Sequence, residues 1–412
     1  MNNMTKLWNR NFSIVTIGSF ISALGSAAAA VALGILVYTE TGSPLILALF
    51  FVANIIPRII VSFLVGPYID RHSRRNVIVA IDYFYSIFFL AIGLVLWSGY
   101  FNVWVFTAVS AFVGTIDTVY QTAFMSLFPE TVPQGSHSKA YSIASLIWPL
   151  SAAIMAPVAA YFIENFANGT ALLMLFNAGT FVLTASIELL INVVEKLNTK
   201  EIEKNQFMTD IRESTAYFRK ERGIFGIALL FAMFAFVYAV GDLLRMPFFI
   251  SSPQYTIQDY SYMVSAGAVG RIVGGIIHYT FKYPPAKKFI IAIAVYFTVE
   301  VMDATMLFLP YIIMITLNFI TGLLGVTSYN IRMAATQTYV PSEIRGRVNA
   351  TQQLMWNFGS IAGAIVAGVT AEYAGVDYRY IIMFAAVISI SSIFLIPLRM
   401  KKEFEKIYNV DV

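Results

Sequence analysis

Two aspartates within long apolar stretches are the residues of this chain best placed to do chemistry. Asp117 has no acidic or basic residue within four positions on either side, and Asp242 stands three positions before Arg245. A carboxyl group in hydrocarbon is costly unless it is neutralised or paired, and it can then load and release a proton. Asp117 and Asp242 are therefore the candidate proton carriers of this sequence.

Each aspartate also has a structural interpretation. Residues three positions apart lie on one face of a helix, so Asp242 and Arg245 could neutralise each other. Asp117 could instead form an ion pair between helices, with Arg58 or Arg332 as its partner. The sequence leaves both interpretations open.

The composition places these charges in a membrane. Hydrophobic residues make up 58% of the 412 residues and charged residues only 12%, which excludes an ordinary soluble globule. Apolar stretches of about 20 residues, the length that spans a bilayer, occur twelve times. Because helices satisfy their own backbone hydrogen bonds, we predict an all-α membrane protein with twelve transmembrane helices. The predicted spans are 12–38, 45–68, 77–97, 102–128, 140–163, 170–194, 223–250, 258–281, 288–308, 311–337, 348–370 and 378–398.

The sequence divides into two pseudo-symmetric six-helix halves. Several residues recur at one interval along the chain, which indicates a tandem repeat of one hydrophobic unit. Repeated bundles are typical of secondary transporters, whose substrate site lies between the repeats. The recurring pairs are Gly66 with Gly274, Pro133 with Pro341 and Trp148 with Trp356. The predicted parts are the first half at 1–194, a cytoplasmic linker at 195–222 that could form an amphipathic helix, the second half at 223–400 and a cytoplasmic tail at 401–412.

The basic residues predict the orientation in the membrane. Most of the 27 Lys and Arg fall in loops that lie on one side if the N-terminus is on that side. By the positive-inside rule, both termini are expected in the cytoplasm. This asymmetry accounts for the net charge of +4, so the charge implies no nucleic-acid partner.

One cytoplasmic loop carries a motif of closely spaced charges. The residues from Gly66 to Asn76 resemble the loop signature of the major facilitator superfamily, with Ser73 where the family has a second glycine. The resemblance implies the major facilitator fold and a gate in which Asp70 holds the eleventh helix when the inner side is closed. The same charges could alternatively serve only as topology markers. The predicted gating residues are Gly66, Asp70, Arg71, Arg74 and Arg75.

A second motif favours export. Ala152, Ala156 and Pro157 resemble a degraded form of the exporter motif of this superfamily, and the second half carries glycines, Gly359 and Gly363, at the related place. Small residues four apart allow close helix packing, and proline bends the helix there.

With Asp70 and Arg71 before a basic pair, Asp82 early in the third span and the residues from Pro129 to Pro133 after the fourth, most of the chain resembles the macrolide-efflux and enterobactin-exporter branch of the drug–proton antiporters. The resemblance is detailed only in the first half.

The resemblance also implies which helices line the central cavity, namely the first, fourth, seventh and tenth. Arginines at membrane depth would suit an anionic or zwitterionic substrate, because guanidinium binds carboxylates bidentately. Acidic residues on the third, sixth and ninth helices, Asp82, Glu188, Glu300 and Asp303, are peripheral by the same resemblance. Pairing with Arg271 is the expected role of the last two. The substrate-cavity candidates are Arg58, Tyr120, Gln121, Tyr238, Arg245, Asn318, Tyr329, Asn330 and Arg332.

These observations favour a secondary active transporter that exports an amphipathic small molecule by proton-coupled alternating access. The substrate could be a macrolide-like drug, which the resemblance suggests, or a siderophore, which the arginines suggest. An uptake symporter for a nutrient or lipid is the alternative. With three histidines and no cysteine, the sequence offers no catalytic constellation, and we expect no enzyme activity, cofactor or metal. The resemblance implies a monomer in the inner membrane of a bacterial cell.

Overall fold

The structure is a computed structural model that describes residues 7–195, 206–280 and 284–409. All regular structure in these residues is helical. The helices are α1 Arg10–Thr41, α2 Pro44–Arg71, α3 Arg74–Trp97, α4 Val103–Thr131, α5 His137–Asn165, α6 Gly169–Glu188, α7 Gln206–Lys220, α8 Arg222–Ser251, α9 Ile257–Thr280, α10 Lys288–Thr305, α11 Tyr311–Tyr339, α12 Ser342–Tyr373, α13 Tyr378–Leu395 and α14 Lys401–Tyr408.

Eleven helices of the described residues are long and apolar enough to cross a membrane. They correspond to eleven of the twelve predicted spans. The remaining prediction, 258–281, falls on α9, a 24-residue helix that carries Asp259, Arg271 and His278 and is not among the eleven. The protein is therefore an all-helical, multi-pass membrane protein.

Two shorter helices flank the membrane segments. α7 lies within the predicted linker, and its first turn follows the undescribed residues 196–205. α14 lies within the predicted tail, where it buries Phe404, Ile407 and Tyr408. The tail is thus a packed element rather than a simple extension of the last span.

The chain forms two compact units. The first comprises residues 1–41 and 53–202, and the second comprises residues 42–52 and 203–412. The beginning of α2, up to Val52, is thereby grouped with the second unit, whereas the predicted domains assign that segment to the first half.

Small residues set the helix packing of the first unit. α1 packs against α5 and α6, and α3 packs against α6. Gly25 of α1 lies so close to α6 that a Cβ there would be 2.1 Å from the Thr180 hydroxyl. In α5, Ala156 of the predicted exporter motif is buried, and Ala152 and Pro157 are half-buried. Small side chains are needed at such positions because packing, not the hydrophobic effect, associates helices in lipid.

The second unit is built on the contacts of α8 with α12 and of α9 with α11. Gly359 and Gly363 of α12 lie against the backbone of α8, where a Cβ would be 2.1 Å from the carbonyl oxygens of Ala232 and Phe236 respectively. The glycine counterpart of the exporter motif is therefore a close helix contact.

α14 closes one end of the second unit. The Tyr408 and Tyr296 hydroxyls lie 3.0 Å apart in the buried core. The Asn409 side chain accepts a hydrogen bond of 3.0 Å from the Phe289 backbone N–H in the first turn of α10. This bond satisfies one of the donors that a helix N-terminus leaves open.

Gly363→Ala is expected to lower the thermal stability of the purified protein. The added methyl group would lie 2.1 Å from the Phe236 carbonyl oxygen, so α8 and α12 must separate, which costs about 1–3 kcal/mol. Melting temperatures in detergent check this.

The matched control is Gly346→Ala on the same helix. A Cβ at Gly346 meets nothing within 4 Å, and alanine improves helix propensity by up to about 1 kcal/mol. The control should melt at or above the temperature of the unaltered protein. Equal destabilisation by both substitutions would contradict the packing described here.

Candidate functional site

Asp117 is the centre of a polar cluster in the first unit. Its Oδ2 atom lies 2.6 Å from Nη2 of Arg58 on α2. The Tyr85 hydroxyl of α3 has one hydrogen to donate and lies 2.7 Å from Asp117 Oδ1 and 3.0 Å from the Val113 carbonyl oxygen. The Arg58 side chain is 46% exposed and that of Asp117 is 32% exposed, so neither side chain is fully enclosed by the surrounding helices.

Close packing of α2 and α4 brings Arg58 to Asp117. A Cβ at Gly114 would lie 2.1 Å from the Asn54 carbonyl oxygen. The Asn54 amide donates a hydrogen bond of 2.9 Å to the Ser110 carbonyl. Of the two partners that the sequence left open for Asp117, the structure places Arg58 in contact with it.

The second unit contains another set of charges at membrane depth. Arg245 of α8 forms a 3.0 Å ion pair with Asp303 of α10. Asp242 interacts electrostatically with Arg245 and with Arg271 of α9. The sequence allowed neutralisation of Arg245 by Asp242 and favoured pairing of Asp303 with Arg271. The second of these expectations was wrong, and the ion pair of Arg245 is with α10.

Gly241 provides the physical reason for this pairing. A Cβ at Gly241 would lie 3.1 Å from Arg245 Nη2. The guanidinium therefore lies over the glycine, one turn earlier on the same helix face, where a larger side chain would block it. From there it reaches Asp303 on the neighbouring helix. Spacing along one helix cannot reveal such a contact.

Arg332 of α11 packs against aromatic rings. Its guanidinium carbon lies 3.9 Å from the centroid of the Phe231 ring and 5.5 Å from that of Tyr329. Its Nε atom is buried without a hydrogen-bond partner. Stacking on ring faces stabilises a guanidinium while leaving its other donors available.

The remaining predicted cavity residues differ in their surroundings. Asn318 uses its amide to donate a 2.6 Å hydrogen bond to the Met263 carbonyl, so it joins α11 to α9. The Tyr120 hydroxyl is buried, next to the Ser22 side chain of α1. Gln121, Tyr238 and Tyr329 are exposed, and Asn330 is half-buried.

The predicted gating motif forms an ion network within the first unit. Arg74 lies 2.6 Å from Glu130 and 3.9 Å from Asp70. Arg75 donates to the Leu189 carbonyl. Arg71 is exposed, and Gly66 is half-buried with no neighbouring atom within 4 Å of an added Cβ. The motif therefore places one arginine between two carboxylates.

Glu195 is a member of this network that the sequence analysis missed. Its carboxylate accepts hydrogen bonds from the Ser73 hydroxyl at 2.7 Å and from the Arg74 backbone N–H at 2.5 Å. An anion is stabilised there by the open N–H groups and the dipole of α3. Ser73 also accepts a hydrogen bond from Asn76 N as the N-cap of α3, which gives a reason for serine where the family has glycine.

Among the described residues, no three histidine or carboxylate side chains are gathered in a way that could hold a metal ion. The polar clusters offer ion pairs, hydrogen bonds and aromatic faces. Such groups can bind a proton or a small molecule.

Comparison with known proteins identifies the family. Residues 2–409 match the model of the family described as "Transmembrane secretion effector", which belongs to the major facilitator superfamily. Macrolide efflux protein A of Streptococcus pyogenes is 22% identical over 396 residues, which cover 93% of this chain and 95% of that protein. The protein of the same name from Enterococcus faecalis is 24% identical over 244 residues, with 57% of this chain and 72% of that protein covered.

Solved transporters share the fold at low sequence identity. One is a bacterial homologue of the iron transporter ferroportin in an inward-facing state. It matches with a TM-score of 0.72 and 14% identity, and the match covers 96% of this chain and 98% of that protein's chain. The nucleoside transporter NupG matches with a TM-score of 0.71 and 14% identity, and the match covers 95% of this chain and 99% of the NupG chain. The family description and the relatives' names support an efflux transporter. The chain therefore belongs to the transmembrane secretion effector family of the major facilitator superfamily, and it is a membrane transporter rather than an enzyme.

Proposed function

We propose that the protein exports a macrolide-like amphipathic molecule in exchange for protons by alternating access. The observation that carries the coupling is the position of Asp117, a carboxylate at membrane depth held by Arg58 and Tyr85. The substrate class is supported by the curated relatives, whose name denotes macrolide efflux. Uptake of a nutrient or lipid remains the alternative direction, and the family description favours export.

Protonation of Asp117 is the proposed switch. The ion pair with Arg58 exists only while the carboxyl is charged, and adding a proton removes the attraction that holds α2 to α4 at this point. A freed guanidinium at membrane depth is unstable, so it favours a conformation that gives it water or another partner. Proton binding would thereby change the relative stability of two conformations.

Asp242 is the corresponding candidate in the second unit. Arg245 is already paired with Asp303, so Asp242 shares the field of Arg245 and Arg271 without being the direct ion-pair partner of Arg245. A proton on Asp242 would leave the Arg245 pair intact. We therefore rank Asp117 ahead of Asp242 as the coupling residue.

The pairing of the arginines favours a drug over an anionic siderophore. Arg58 and Arg245 each have a carboxylate partner within 3.0 Å, which leaves less positive charge for an anionic substrate than the arginine count suggested. The siderophore remains a second candidate because Arg332, stacked on Phe231, has a buried Nε without a hydrogen-bond partner. A carboxylate of a substrate would satisfy that donor.

We further propose the arrangement in the membrane. α9 would be the twelfth span, since protein neighbours can shield its polar residues. The two six-helix halves would be 1–194 and 223–400, joined by the linker at 195–222 and followed by the tail at 401–412. Both termini would be cytoplasmic, in the inner membrane of a bacterial cell, and the protein would work as a monomer. Accessibility of single cysteines introduced into the cysteine-free chain tests each loop.

Export should collapse a proton gradient in a substrate-dependent way. Energised inside-out vesicles that contain the protein are offered a macrolide panel and a panel of citrate- and catechol-type siderophores, and the gradient is followed with a pH-sensitive dye. We expect collapse with macrolides. Collapse with siderophores alone would replace the substrate assignment, and a lack of response to either panel would contradict proton-coupled export of these compounds.

Asp117→Asn is expected to abolish gradient-driven export while substrate exchange across the membrane continues. The asparagine keeps the size of the side chain but cannot cycle a proton, so binding is retained and coupling is lost. Asp242→Asn should reduce gradient-driven export less. Counterflow and gradient-driven uptake into the same inside-out vesicles separate the two effects.

Glu40→Gln is the matched control, because Glu40 is an exposed carboxylate at the end of α1. It should leave both activities unchanged. Full gradient-driven export by both the Asp117 and the Asp242 variants would show that neither residue carries the coupling proton.

A further inference from the structure

Two carboxyl groups lie side by side in the interior of the first unit. Asp82 of α3 and Glu188 of α6 are both 0% exposed. Their side chains are within hydrogen-bonding reach of each other. The two residues are far apart in the sequence, and the family resemblance gave them only a peripheral place.

Close helix packing creates this pair. α3 and α6 are in extensive contact, and a Cβ at Gly93 of α3 would lie 2.8 Å from the Leu175 side chain of α6. On the other side, Gly18 of α1 leaves room for Glu188, whose Oε1 would be 3.7 Å from a Cβ at Gly18. The Thr184 hydroxyl donates a hydrogen bond of 3.1 Å to the Gly18 carbonyl oxygen. This bond holds α6 against α1.

Among the described residues, no basic side chain interacts with either carboxyl group. All four carboxyl oxygens are buried and lack a hydrogen-bond partner outside the pair. The groups that interact with the pair are the Tyr120 hydroxyl of α4 and Tyr85 of α3, and Ser22 of α1 lies beside Tyr120. The cation of this region, Arg58, is bound to Asp117.

Two adjacent carboxylates cannot both be ionised in such a place. Like charges at hydrogen-bonding distance repel strongly, and burial removes the water that would screen them. A carboxyl–carboxyl hydrogen bond requires a hydrogen on one of the two oxygens that meet. The pair is then expected to titrate as one coupled unit.

Two tyrosine hydroxyls, of Tyr85 and Tyr120, lie close to the carboxyl pair. The Tyr120 hydroxyl is buried, and it interacts with Glu188 and Asp82 as well as with Ser22 of α1. Tyr85 interacts with Asp82 while it donates a hydrogen bond to Asp117. Hydroxyl groups therefore lie between the pair and the Asp117 cluster.

We propose that Asp82 and Glu188 form a second proton-binding site, which shares one proton and exchanges it with the Asp117 cluster through Tyr85 and Tyr120. The ligand is a proton because the site offers few oxygens for a metal cation, and the carbonyls of the surrounding helices are used in backbone hydrogen bonds. Binding of the proton does not depend on the proposed export, whereas its use in transport rests on that function.

Infrared spectroscopy of the full-length protein in lipid nanodiscs tests the site directly. A protonated carboxyl gives a carbonyl band that carboxylates lack, and the band shifts in D₂O. The Glu300→Gln variant serves as the background for these measurements. Glu300 is the other buried glutamate of the described residues, and its carboxyl band would overlap that of the pair. We expect a protonated-carboxyl band at neutral pH that decreases as the pH rises, and its loss when Asp82→Asn and Glu188→Gln are added.

Isotope labelling makes the test independent of the folding of these variants. Carboxyl-¹³C aspartate or glutamate, incorporated into Glu300→Gln protein with the pair intact, should shift the band of the amino acid that carries the shared proton. Glu40→Gln should leave the band unchanged. Absence of the band at neutral pH, or a band that sodium removes at constant pH, would overturn the proposal.

The transport assay separates this inference from the proposed function. If the unaltered protein shows the band but does not use a proton gradient, the proposed coupling fails and the proton site stands. If gradient-driven export is present and the Asp82→Asn, Glu188→Gln double variant retains it in full, the pair does not exchange its proton with the coupling cluster, and that part of the proposal is wrong.

Discussion

A charge in hydrocarbon needs an opposite charge or a bound proton beside it, and this constraint organises the polar interior of both units. Asp117 is held by Arg58 in the first unit, and Asp303 is held by Arg245 in the second. Arg332 rests on an aromatic face instead. The buried pair of Asp82 and Glu188 is a described arrangement for which neither a cation nor a ring provides the compensation. A proton is the simplest group that can supply it.

The sequence predicted the helices well because the signal is physical and local. A run of apolar residues long enough to span the bilayer must be helical, whatever it packs against. α9 marks the limit of that signal, since Asp259 and Arg271 lower its hydropathy although it is as long as α3. Small residues also predicted close contacts, as at Gly359 and Gly363. These features depend on the residue itself and its immediate neighbours in the chain.

Charge partners were predicted poorly because each lies on another helix. For Asp117 the sequence offered two arginines and no means of choosing between them. For Arg245, the nearby Asp242 was a plausible partner by spacing, but folding of the side chain over Gly241 directs it to Asp303. Glu195 was missed for a similar reason, since its role as a cap of α3 depends on where the chain returns after α6. Only the packing of helices supplies this information.

The docking of α14 has a consequence for the order in which the protein is made. Phe404, Ile407 and Tyr408 complete the core of the second unit, and Asn409 caps α10. That core therefore stays open at one end until α14 has been synthesised, whereas the helices of the first unit are made earlier. Domains generally fold as units and the N-terminal one first. During this interval the apolar residues that α14 covers would be exposed, and completion of the core would depend on how fast α14 is made.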